Sequence, residues 1–241
     1  MTEPIYRLHR LLKSQRKGAT APHNCRLNAI LKRNSADFPY CVYGEQVAVR
    51  LAQTLRVPVA DGVLTQVDGV IAFASLEVAS PAMPLPDLLA SQFAAAAERY
   101  PREAAGLTLF DILIGNWDRR ENLKAAIKTD KVSLFRGFDH SHVLLEAKRT
   151  ITESLKALQS LDLIVARHPF YGHVKKATLD EWLKKFALVS DEHIQDCCTL
   201  GRSFGEVDNN VQQALGQSLG WRKANLAIII EQNLAVICPE P

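Results

Sequence analysis

Asp118, Asn122 and Asp139 are the residues whose types and spacing could do chemistry in this chain. Asp118 and Asn122 bracket the polar run Asp118-Arg119-Arg120-Glu121-Asn122, which follows the apolar stretch Leu107 to Ile114 and the break Gly115-Asn116. A short β-prone run, Lys131 to Phe135, then leads to Phe138-Asp139-His140. Two carboxylates and an amide on loops at the ends of buried elements is how rigid scaffolds present reactive groups. Phosphoryl transfer asks for this set: a carboxylate to orient the attacking hydroxyl, and oxygen ligands to hold magnesium against the phosphates. Asp118 suits the hydroxyl, and Asn122 and Asp139 suit the metal. The competing reading is a helix end followed by a solvated charge run. It wins for Asp118 taken alone, since Asp is common in loops. It loses to the chemical reading once the residues are taken together.

The elements that must position these residues lie upstream. Arg26 to Lys32 reads as a strand ending on Lys32, and Glu45 opens the helical segment GEQVAVRLAQTLRV, which Pro58 stops. Val47, Leu51 and Leu55 fall near one face of that helix. Val63 to Val67 and Val70 to Leu76 alternate around Asp68-Gly69, a hairpin signal. Ser80 to Pro86 is a Pro-rich connection. Asp87 to Tyr100 reads as a helix, and Glu103 to Ile114 as the helix that delivers the central loop.

The central loop resembles that of the HipA-like kinase group and, more distantly, the phosphatidylinositol kinases. Members carry Ile-Gly-Asn-x-Asp-Arg-His, an Asn a few residues on, and a later Asp-His or Asp-Gly. Here the positions read Ile114-Gly115-Asn116-Trp117-Asp118-Arg119-Arg120, Asn122 and Asp139-His140. Two positions depart from the pattern. Arg120 stands where the group has His, and Asn122 comes one residue earlier than in the kinase motif H-R-D-L-x-x-x-N. The segment from Gly44 to Val59 is also similar to the group's Asn-Glu-x-x-Ala-x-Arg-Leu-Ala-x-x-Leu-Gly-hydrophobic-Pro pattern.

The resemblance covers most of residues 14–145 and implies an α+β, two-lobed protein-kinase-like fold. A β-rich small N-lobe would span 1–80 and a helical C-lobe 81–241. The implied cofactors are ATP and Mg2+. Lys32, paired to Glu45, would touch the α- and β-phosphates, although a Lys–Glu pair by itself reads as a surface salt bridge. Asn122 and Asp139 would hold Mg2+, and Asp118 would take the hydroxyl. Arg119 or Arg120 would neutralise charge on the transferred group. Gly18 and Thr20 lie in the polar stretch Ser14 to Pro22, whose composition resembles the loop covering ATP in the group; an ordinary surface loop reads equally well. Glu77 and Val78 stand where a linker between lobes would hold adenine, or else at a plain strand end. Some members phosphorylate themselves on the phosphate loop, and Ser14 and Thr20 are the hydroxyls here.

The implied activity is γ-phosphate transfer to a protein Ser or Thr, as in a HipA-like serine/threonine kinase. Two alternatives stay open: a pseudokinase that binds nucleotide or protein, and a small-molecule or lipid kinase. The group also implies a protein substrate and allows an antitoxin or regulatory partner, as in toxin–antitoxin systems. Composition sets outer bounds. The chain has 241 residues, 47% of them hydrophobic and 23% charged, with net charge +3. That charge is too mild to argue for direct nucleic-acid contact, and the cluster Arg10, Lys13, Arg16, Lys17 reads equally as a solvated helix end or a phosphate-facing patch. The longest strongly apolar run, Leu226 to Ile230, falls far short of a membrane span. Five cysteines in odd number, with no metal or redox spacing, read as reduced thiols of a cytoplasmic, soluble protein.

Expectations for the remaining segments are as follows. Residues 1–12 form a short helix or an edge strand. His140-Ser141-His142 lacks a third ligand for zinc, so His140 supports Asp139 instead. Arg149 to Arg167 is an amphipathic helix, and Thr178-Leu179-Asp180-Glu181 is a capping box opening the next. Ser190 caps a helix to Leu200, Asn209 to Leu219 and Trp221 to Asn233 finish the chain, and Phe170, Tyr171, Trp182 and Trp221 are packing residues.

Overall fold

Asp68-Gly69 makes the turn its composition demands. Both residues adopt positive φ, 53° and 79°, as a two-residue turn matched to the strand twist requires. The turn joins β4 (Gly62–Val67) to β5 (Val70–Leu76), and β3 (Ala29–Lys32) pairs antiparallel on the other side of β5, giving the order β3-β5-β4. The computed structural model describes residues 8–15, 23–80, 83–84, 86–128 and 132–239. Within them β1 (Leu8–Gln15) and β2 (His23–Leu27) form a separate antiparallel pair. The helical alternative expected for residues 1–12 is therefore corrected over residues 8–12, and the rest of that segment lies outside the described residues. The expected single strand from Arg26 to Lys32 is two, because Asn28 leaves the ladder and its carbonyl accepts from the Glu77 amide at 3.1 Å.

Helix α1 (Cys41–Leu55) packs its apolar side, Val47, Ala48, Leu51 and Leu55, against β4 and β5. It begins before Glu45 because the Asn34 side chain accepts from the Val42 amide at 2.9 Å, satisfying one of the orphan donors of the first turn. Glu45 thereby sits inside the helix and is buried. Two short strands, β6 (Ala79–Ser80) and β7 (Met83–Pro84), follow the sheet.

The rest is mainly helical. Helix α2 (Phe93–Arg99) starts later than the pattern from Asp87 suggests. The backbone of Asp87 and Leu88 is taken instead by the edge of β8 (Leu123–Ala125), with the Leu88 amide donating to the Leu123 carbonyl at 3.0 Å. Helix α3 (Pro101–Ile114) is buried from Ala104 to Ile114, on every face, which explains its lack of a polar stripe. β8 pairs with β9 (Phe135–Gly137), so the β-prone run ends later than expected.

Helix α4 (Ile151–Leu158) is shorter than the amphipathic pattern to Arg167. Buried Arg222 takes the carbonyls of Leu158, Ser160 and Asp162, which draws the chain out of the helix there. Helix α5 (Lys176–Ala187) opens before Thr178, which lies inside its first turn, so the expected capping box does not form. Ser190 does cap α6 (Asp191–Cys198), accepting from the His193 amide at 3.2 Å. The two expected terminal helices are one, α7 (Asn209–Gln232), followed by a turn of helix α8 (Leu234–Ile237). A glycine inside a helix costs only about 1 kcal/mol, and Gly220 is spanned without a break. Trp221 is 37% exposed, unlike buried Phe170 and Trp182. All five cysteines are free thiols. Among the described residues no helix is long and apolar enough to cross a membrane.

Candidate active site

Helix α3 ends at Gly115, whose φ of +73° takes the left-handed turn that an L side chain resists. The loop beyond it is held from beneath by a carboxylate in the middle of α3. Asp111 is fully buried, accepts from the Asn116 amide group at 2.9 Å and lies 3.0 Å from His168 Nε2. It also takes two bonds from the Arg119 guanidinium, Nε to Oδ2 at 2.8 Å and Nη2 to Oδ1 at 3.0 Å. Burial opposes ionisation of Asp111, yet the Arg119 charge and the His168 and Arg119 hydrogen bonds hold its carboxyl well below the usual range.

Arg119 is 1% exposed and every one of its N–H donors is engaged. Besides Asp111 it donates to the carbonyls of Asn122 (2.9 Å) and Phe138 (2.6 Å), and Nη2 lies 2.9 Å from His140 Nε2. One side chain thus fastens the 118–122 loop to the 138–140 loop. Gly137 leaves room beside it, since a Cβ there would stand 3.0 Å from Arg119 Nη1 and would press on the guanidinium. The Phe138 amide adds a bond to the Asn122 carbonyl at 3.1 Å. The expectation that Arg119 neutralises a transferred group is corrected: its donors are spent inside the protein. Arg120, its neighbour, is exposed and lines a groove of about 520 Å³ together with Asp118 and Arg167.

Above this buried layer the side chains face open space. Asn116 Oδ1 accepts from the Asp118 amide at 3.1 Å and sets the direction of Asp118. Asn122 Nδ2 donates to the Asp118 carbonyl (2.8 Å) and to its Oδ2 (3.3 Å). The early Asn122 therefore turns its Nδ2 toward Asp118, and its Oδ1 accepts no hydrogen bond among the described residues.

A second group forms where β3 ends. Lys32 Nζ lies 2.5 Å from Glu45 Oε1 and 2.8 Å from Asp139 Oδ1. Burial works against the Lys32 charge, but Glu45 and Asp139 raise its pKa. Burial likewise works against the charge on Asp139, and Lys32 with Ser141 holds that carboxyl well below its ordinary range. Asp139 adopts φ of +56°, a rare backbone state for a residue other than glycine. Ser141 Oγ donates to Asp139 Oδ1 at 2.5 Å, while Oδ2 has no partner among the described residues.

His140 does not support Asp139 as expected. Its amide donates to Glu45 Oε1 at 2.8 Å, its ring meets Arg119, and burial lowers its pKa, so it is a neutral link between α1 and the buried layer.

The other expected residues are placed less centrally. Val78 is buried in a small apolar cluster with Ala60, Ala126 and Leu134, and the Glu77 amide is committed to Asn28. That bond removes the Glu77 N–H as a donor to adenine. Gly18 and Thr20 lie outside the described residues, and Ser14 lies in β1. Asp111, Asn116, His168, Ser141 and His142 were not singled out by sequence as site residues. Asp111 has a visible signal, a lone charge in the otherwise apolar run from Leu109 to Ile114; His168 has none.

No family model matches the sequence, and no curated protein matches it. The fold does find relatives. The chain is similar to the proinflammatory kinase CtkA of Helicobacter pylori, with a TM-score of 0.60 at 15% identity over 86% of this chain and 90% of that one. It is also similar to HipA of Shewanella oneidensis MR-1, solved with HipB and operator DNA as a toxin–antitoxin system, with a TM-score of 0.56 at 12% identity. That match covers 88% of this chain and 61% of HipA. The chain therefore has the HipA-like kinase fold, with a small β-rich part and a mostly helical remainder.

Proposed function

We propose that this protein is an ATP-dependent phosphotransferase of the HipA-like kind, moving the γ-phosphate of ATP to a protein Ser or Thr hydroxyl. One observation carries the reading. Lys32 bridges Glu45 and Asp139 while Asp139 Oδ2 and Asn122 Oδ1 remain without hydrogen-bond partners. Among the described residues there is no group of three or more His, Cys, Asp or Glu arranged for a metal. Mg2+ does not need one, since it is held by one or two side-chain oxygens with phosphate oxygens and water completing its shell. The donors present therefore fit Mg2+ better than zinc.

Within this reading Asp139 and Asn122 hold the metal, which when bound neutralises charge on the phosphates. Lys32, kept in place by Glu45, meets the phosphates as a compact cation. Asp118 orients the acceptor hydroxyl and takes its proton, a role of general-base type. Of Arg119 and Arg120, the exposed Arg120 is the one that would meet the transferred group. Lys32 would exchange part of its contact with Asp139 for phosphate oxygens. A regulatory protein partner belongs to the same proposal, supported by the HipA structure having been solved with HipB.

Thermal shift tests the site. MgATP should raise the melting temperature of the wild type and leave Asp139→Asn unmoved at the same concentration. Stabilisation without phosphate transfer would select the pseudokinase alternative. No stabilisation by ATP, with or without Mg2+, would overturn the nucleotide site.

A further inference from the structure

Asp118 is approached by one residue that the proposed function leaves without a role. His142 Nε2 lies 3.8 Å from Asp118 Oδ2, the same oxygen that Asn122 Nδ2 contacts at 3.3 Å. Asp118 Oδ1 has no partner among the described residues. Both neighbours thus engage one carboxylate oxygen and leave the other open.

The imidazole is itself held by two aromatic rings. Phe38, from the loop between β3 and α1, meets it edge-on with centroids 4.8 Å apart. Trp117 packs at 5.1 Å. An edge-to-face pair at the Phe38 separation is attractive beyond simple burial. Trp117 also lines two clefts. His142 and Phe38 line one of about 390 Å³, and Asp118 and Arg120 line the other of about 520 Å³. His142 therefore meets Asp118 from outside the groove that Asp118 and Arg120 line.

We propose that His142 is a positioning residue for Asp118. With Asn122 it fixes Oδ2, so that Oδ1 is presented to the acceptor hydroxyl. At 3.8 Å the ring nitrogen stands just beyond hydrogen-bond range, and contacts of this kind commonly tighten when substrate is bound. Phe38 makes the arrangement depend on the segment between Lys32 and Glu45, the stretch of chain that links the two residues proposed to hold nucleotide. The role rests on the phosphotransferase reading, and a small misalignment of a reacting group is enough to lower its rate.

The test compares His142→Leu, His142→Gln and Phe38→Ala with wild type in MgATP turnover, alongside melting temperature and ATP affinity. His142→Leu should lower kcat about 10- to 100-fold with KM for ATP and melting temperature unchanged. His142→Gln keeps an N–H donor near the position of Nε2 and should restore most of that loss. Phe38→Ala should lower kcat by less than His142→Leu. A ring-proton shift of His142 on Asp118→Asn, seen by NMR, should report the contact without any turnover. Active wild type with an unchanged His142→Leu, equal losses in the Leu and Gln variants, or an effect confined to KM overturns this proposal alone. A wild type that binds MgATP and transfers nothing overturns the phosphotransferase reading and this proposal with it.

Discussion

Arg119 and Asp118 are neighbours in sequence and opposites in chemistry. Every donor of Arg119 is bonded, to Asp111, to two backbone carbonyls and to His140, in a layer closed to water. Asp118, Asn122 and Asp139 each keep one oxygen without a partner, on the open side. The two regions divide the work. The saturated layer has nothing left to offer a ligand, so its free energy goes into holding two loops against each other. The open edge is incompletely satisfied within the protein, which is where a metal and phosphate oxygens would complete its bonding. Burial separates the two, because an unpaired polar atom is expensive only where water cannot reach it.

The hardest way to break this contrast is to cut the buried layer. Arg119→Leu removes the arginine charge paired with buried Asp111, leaving it only the Asn116 and His168 contacts, and should cost about 3–5 kcal/mol of stability. Urea unfolding measures it, and a loss under about 1 kcal/mol would mean that the layer is not what holds the loops. The open edge should behave in the reverse manner. Asp118→Asn should lower phosphate transfer about 10²- to 10⁴-fold while shifting stability by no more than about 0.5 kcal/mol. Equal damage to fold and turnover would erase the distinction.

Acidity probes both regions through one curve. Burial lowers the pKa of His140 and His168, so the unfolded chain takes up their protons first as pH falls below about 6.5. Asp111, Asp139 and Glu45 have lowered carboxyl pKa values despite their burial. Their stabilisation is complete above about pH 4 and is lost as pH drops through the folded values. Melting temperature should be level above about pH 7, decline below about 6.5 and fall more steeply below about 4. A level curve between pH 7 and 5 would contradict the neutral buried histidines. The smallest effect belongs to Arg120, exposed beside buried Arg119. Arg120→Gln should change stability by no more than about 0.5 kcal/mol, and a larger loss in the same urea titration would show that the two arginines share the structural task.

How much of this was legible in the sequence depended on distance along the chain. Asp118, Asn122, Asp139, Lys32 and Glu45 were marked by local pattern, and the structure brings Lys32, Glu45 and Asp139 into contact and Asn122 onto Asp118. Arg119 was misread because a charge in a polar run looks solvated, and nothing local says that Asp111 waits beneath it. His168 reaches Asp111 from a segment far along the chain, so no spacing could link them. The fold shows the same pattern. The Asp68-Gly69 hairpin was readable because its turn chemistry is self-contained. The early end of α4 was not, because Arg222, on another helix, takes the carbonyls there. The capping box at Thr178 failed for the related reason that α5 had already begun.

The open edge is proposed to transfer phosphate, with the buried layer holding it in place. The most direct measurement follows the γ-phosphate of ATP in wild type and Asp118→Asn, each with Mg2+ and with the metal chelated. Wild type should transfer or release phosphate only with Mg2+, and Asp118→Asn should still gain thermal stability from MgATP while transfer collapses. Transfer at the wild-type rate in Asp118→Asn, or none from wild type with MgATP, would contradict it.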